Sequence, residues 1–199
     1  IVIKRKMTVS VDPRDIKLPA YIAVVLSLIA IILACIGIGT PSWQIVYSNP
    51  PNNTSPSITT SFYYMCYAFN SSCVSNPSTE SFIHLRQAAG LAIVGILFLM
   101  FGTVATYSIA IRSFDDSANI KDYRHRDLQI VLGPLCLFIG TITMLAALSE
   151  GTRTIIYNGY SANLYQTAYI ISIFALLGSA YASGRRSLIH RSLEEPLLK

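Results

Sequence analysis

Charge is scarce in this sequence, and the scarcity is uneven. Of 199 residues, 13% are Asp, Glu, Lys or Arg, about half of the roughly 25% that covers a soluble globular domain. Four long stretches, 19–39, 88–111, 128–148 and 163–183, contain no Asp, Glu, Lys, Arg or His at all. Segments so empty of ionisable groups give a proton relay, an ion pathway or a transporter site nothing to run on. Histidine is rare as well, with only His84, His125 and His190. No HExxH, GxSxG, P-loop or redox CxxC pattern occurs, so neither an enzyme nor a bound cofactor is expected. Glu80 and His84 stand four apart and could hold a metal or pass protons, but a pair ahead of an apolar segment reads first as solvated.

What replaces charge is hydrocarbon. The chain is 52% hydrophobic with a mean hydropathy of +0.49. Each charge-free run matches the ~20 residues that a helix needs to cross a ~30 Å hydrocarbon core. The runs lack the period-2 alternation of barrel strands, which leaves helices as the structure that satisfies its own backbone in lipid. Transmembrane helices are therefore expected at 19–40, 88–111, 128–148 and 163–183. The first has too long an apolar core, and too many residues ahead of it, for a cleaved signal peptide. The chain begins with Ile1 rather than Met, as expected of a fragment of a longer precursor.

Basic residues give the orientation. Thirteen of the fifteen lie in 1–18 (Lys4, Arg5, Lys6, Arg14, Lys17), in 112–127 (Arg112, Lys121, Arg124, Arg126) and in 184–199 (Arg185, Arg186, Arg191, Lys199); only Arg86 and Arg153 fall elsewhere. The positive-inside rule makes those three segments cytoplasmic and turns 41–87 and 149–162 outward. These basic flanks are topology determinants first, with a modest attraction to anionic lipid, and no nucleic-acid partner is expected.

The first outer loop holds the densest pattern, "SFYYMCYAFNSSC" (61–73). It alone brings cysteines to an oxidising compartment, since Cys35 and Cys136 fall inside apolar runs. A Cys66–Cys73 disulfide follows, contributing roughly 2.5 kcal/mol in the chain-entropy model. A metal site is the rival, and two thiols without a nearby CxxC or His pair argue against it. Asn52, Asn53 and Asn70 each begin an N-x-S/T sequon, all in this loop; Asn70 lies within the disulfide ring, which would hinder glycan transfer. "WQIVY" alternates like a strand, and "SITTSFYYMCYAF" is rich in β-branched and aromatic residues. The loop is thus expected to form a small crosslinked β-sheet on top of a helical bundle.

Taken together, these residues resemble the claudin superfamily, which includes the peripheral myelin proteins and the stargazin-like auxiliary subunits. That family carries W … G-L-W-x-x-C … C in its first outer loop. Trp43 in "GTPSW" matches the first Trp. Ser61, Phe62, Tyr63, Cys66 and Cys73 match the remainder, with Ser61 and Tyr63 replacing Gly and Trp. "LRQAAGL" (85–91) is similar to the family's Arg-bearing segment, and "TRTIIYNGY" (152–160) to its second outer loop. The resemblance implies a membrane all-α four-helix bundle with a small extracellular β-sheet formed by the first outer loop, and Trp43 and Arg86 anchoring loop to bundle. It further implies a plasma-membrane protein with both termini cytoplasmic, acting in cell adhesion, junction or barrier assembly. The alternative is an auxiliary subunit that binds and modulates an ion channel or receptor. Besides the lipid bilayer, the partner is then another membrane protein, in cis or in trans on an adjacent cell. Phe62, Tyr63, Tyr64, Tyr67, Phe69, Tyr157 and Tyr160 are the candidate partner contacts.

Overall fold

A computed structural model of the protein describes residues 14–47, 56–76, 82–111 and 123–194. The element order is α1 (Arg14–Gly39), β1 (Gln44–Tyr47), β2 (Pro56–Thr60), β3 (Tyr64–Tyr67), β4 (Ser72–Ser75), α2 (Ile83–Ile111), α3 (Tyr123–Gly151) and α4 (Tyr160–Glu194). All four helices are long and apolar enough to cross a membrane. Every one outruns its charge-free run. Hydropathy falls where charge begins, but the backbone needs only residues that tolerate a helix, and "GRRSLIHRSLE" supplies them. At ~1.5 Å per residue, α4 is about 50 Å long, well beyond a ~30 Å hydrocarbon layer.

Two close pairings, α1 with α4 and α2 with α3, set the bundle. In the second, two glycines face each other. A Cβ on Gly140 would stand 2.9 Å from the Gly95 carbonyl oxygen and 3.0 Å from the Leu99 nitrogen. Such small residues let backbones meet in lipid, where dispersion rather than water drives association. Among the described residues, the fully buried polar residues of the helices are serines and threonines, and α4 uses three serines to reach each neighbour. Ser161 pairs with Thr40, just past the end of α1, at 2.7 Å, Ser172 with Thr141 of α3 at 3.2 Å, and Ser179 with Thr106 of α2 at 2.8 Å. Each threonine also bonds a carbonyl four residues earlier in the chain: Ile36, Leu137 and Gly102 respectively.

The connection between α1 and α2 folds into a four-stranded antiparallel meander, β1-β2-β3-β4, with an irregularity at Val46/Tyr47. The "SITTSFYYMCYAF" stretch is not one strand. Ser61 breaks it, because its hydroxyl accepts from the Tyr63 and Tyr64 amides and donates to the Tyr64 carbonyl, closing a turn between β2 and β3. Cys66 and Cys73 are directly opposite across β3 and β4 and form a disulfide.

Candidate interaction surface

The sheet is joined to the bundle by an aromatic cluster centred on Trp43. Its ring is fully buried, stacked on Phe62 at 4.1 Å between centroids, with Tyr157 at 5.3 Å and Tyr165 at 5.5 Å. The indole N–H donates to the Gly37 carbonyl at 2.7 Å, satisfying one of the orphan acceptors at the end of α1. Leu85, also fully buried, belongs to the same cluster, while its neighbour Arg86 is exposed on α2. Phe62 stands among the aromatics expected to meet a partner, yet the structure buries it completely under the sheet. The Ser61 turn is the reason: it points Phe62 inward and leaves Tyr63 outward.

A second connection, between α3 and α4, is sewn to the outer edge of β1. The Asn158 amide acts as a strand would, its Oδ1 accepting from the Ile45 N–H at 2.7 Å and its Nδ2 donating to the Ile45 carbonyl at 2.9 Å. Gly159 N–H donates to the Trp43 carbonyl and Ser161 N–H to the Ser42 carbonyl, both at 3.1 Å. A Cβ at Gly159 would overlap the Ser42 carbonyl, so this approach requires glycine. Tyr157 donates its hydroxyl to the Leu148 carbonyl at 2.8 Å, and burial pushes its phenol pKa up. Both connections therefore form one platform. The Asn-Gly in "YNGY" is a turn signal in the sequence, but nothing there identifies β1 as its mate.

An ionic clip lies beside the platform. Glu150, on the last turn of α3, faces His84 on the first turn of α2 through Oε1 and Arg153 through Oε2, the latter at 3.4 Å. His84 is thus engaged by Glu150. Its sequence neighbour Glu80 lies outside the described residues, as do Asn52 and Asn53. Among the described residues no three His, Cys, Asp or Glu side chains come together as a metal site.

The sheet side of the platform is uncharged among the described residues, Arg153 lying in the other connection. Residues 44–47 and 56–76 contain no Asp, Glu, Lys, Arg or His. Val46, Tyr47, Tyr63, Tyr67 and Val74 are exposed there, and Phe69, at the turn between β3 and β4, is 102% exposed. Of the other expected contacts, Tyr160 is exposed, while Tyr64 and Tyr157 are half-buried, with the Tyr64 hydroxyl donating to the Gly39 carbonyl at 3.1 Å. Partial burial raises the Tyr63 phenol pKa. Such a face has hydrogen-bonding phenols and apolar area, and its described residues carry no fixed charge. No protein-family model matches this chain, and no curated protein matches it.

Proposed function

We propose that this chain is a claudin-type membrane protein that works by protein–protein contact at plasma-membrane cell contacts, with its sheet outside and both termini in the cytosol. The observation that carries this reading is a platform of two connections hydrogen-bonded into one unit and fixed to the bundle through Trp43, whose sheet presents aromatic and aliphatic side chains outward and no charged residue among those described. The basic residues outside the platform support the orientation, and the Trp43, Phe62, Cys66 and Cys73 pattern supports the claudin-like assignment. Without fixed charge in the sheet, the contact seals or adheres and does not form a charge-selective pore.

The test is expression in cells that do not otherwise adhere. Accumulation at contacts between two expressing cells, and not between an expressing and a non-expressing cell, is the expected result. Uniform distribution, together with stoichiometric co-purification of a channel or receptor in mild detergent, would replace this reading with the auxiliary-subunit one.

A further inference from the structure

The turn between β3 and β4 carries a sequon, Asn70-Ser71-Ser72, for which the contact function has no use. We propose that Asn70 carries an N-linked glycan whose core covers the exposed ring of Phe69. The inference rests on the reading that the sheet faces the secretory lumen.

Three observations converge on this turn. The Asn70 Oδ1 accepts from the Ser72 N–H at 3.2 Å and from the Ser72 hydroxyl at 2.6 Å. Two donors on one atom fix the amide's orientation, because a flipped amide would set N–H against N–H. The amide nitrogen is thereby the atom that does not face Ser72, and no partner for it occurs among the described residues. The hydroxyl two residues on, which the sequon requires, is already in contact with the amide to be modified. Next, Ser71 takes a left-handed conformation, φ 51°, in the turn that joins β3 to β4, and Phe69, Asn70 and Ser71 are all exposed there. Finally, Phe69 is wholly exposed on a hairpin held by the Cys66–Cys73 bond. Covering so exposed a ring is favourable in proportion to the apolar area removed from water, and the modifiable amide is its immediate neighbour.

The chemistry balances without redox. The Asn70 Nδ2 displaces a lipid-linked pyrophosphate from C1 of the first sugar of a lipid-pyrophosphate oligosaccharide. The N–C1 bond forms, the C1–O bond breaks, the pyrophosphate leaves with the electron pair, and Nδ2 releases one proton. Because the sequon lies wholly between the two cysteines, transfer precedes closure of the ring.

The test uses the full chain expressed in cells, with an epitope inserted in 48–55 to report the side of the membrane. Treatment with an amidase that removes N-glycans should convert residue 70 to Asp by mass spectrometry, and Asn70→Gln should abolish that mass shift. Hydroxyl-radical labelling of Phe69 should then rise after glycan removal to the level of a free phenylalanine, with Tyr63 labelling unchanged. An epitope reached on intact cells with Asn70 unmodified overturns the proposal and leaves the orientation standing. An epitope reached only after permeabilisation overturns both. A modified Asn70 with Phe69 labelled equally before and after removal overturns the covering role.

Discussion

Replacing Trp43 tests whether the aromatic cluster holds sheet to bundle. Trp43→Ala removes a fully buried indole and leaves the Gly37 carbonyl without its donor. Loss of a buried aromatic of this size costs about 3–5 kcal/mol. Trp43→Phe keeps most of the stacking on Phe62 and loses mainly the hydrogen bond, about 1 kcal/mol. For a chain of this length each kcal/mol moves the melting temperature by roughly 2–4 °C, so about 10 °C and about 3 °C are expected. Tryptophan fluorescence cannot report this, since Trp43 is the sole Trp. The buried Cys136 can, through its reaction with a thiol dye as the bundle opens, in a background where the exposed Cys35 is replaced by Ala. Phe69→Ser, at a fully exposed site, should stay within about 0.5 kcal/mol of the parent. Should Trp43→Ala melt together with Phe69→Ser, the cluster does not carry the junction and the reasoning fails.

Asn158→Ala strips both hydrogen bonds from Ile45; a loss of about 1–2 kcal/mol is expected, seen as faster hydrogen exchange at the Ile45 amide with β2 unaffected. Gly140→Val forces side-chain atoms against the Gly95 carbonyl and should cost about 3 kcal/mol or more. Gly90, where a Cβ would meet nothing within 4 Å, should accept Ala with a gain of up to about 1 kcal/mol; equal melting of the two variants would refute the helix-pairing account. The raised Tyr157 phenol makes stability fall with alkaline pH, because above about pH 10 the unfolded chain releases a proton that the folded one keeps. Tyr157→Phe should be less stable than the parent near neutral pH by about 1 kcal/mol, through loss of the bond to Leu148. The gap should narrow above pH 10 in denaturation series, and a constant gap would contradict the burial argument.

The helices could be read from the sequence because lipid dictates composition residue by residue, whereas their ends could not. Hydropathy marks where hydrocarbon stops, and α4 continues to Glu194 because Arg, Leu and His tolerate a helix in water equally well. The disulfide was legible for a different reason: two of four cysteines fall in one loop. Less of the sheet was visible. β1 shows in the alternation of "QIVY", but β2 and β3 look continuous, and the turn bonds that Ser61 makes with its hydroxyl and its backbone N–H separate them. β4, "SCVS", is too short to carry a period. The platform itself depends on Asn158 meeting Ile45, 113 residues apart, and no local pattern encodes a partner at that distance. For the same reason Phe62, greasy and flanked by tyrosines, looks like surface until the turn beside it is seen.

The three hydroxyl pairs made by α4 bear on how the protein is assembled during synthesis. Helices emerge from the ribosome in chain order, so Thr106 and Thr141 enter the bilayer, and Thr40 takes its place at the end of α1, before any serine of α4 exists. In an anhydrous medium a lone hydroxyl is penalised, but each threonine has the carbonyl four residues before it within reach to occupy it meanwhile. The last helix can therefore arrive late and recruit these groups as it docks, without its predecessors having waited in a strained or solvent-seeking state.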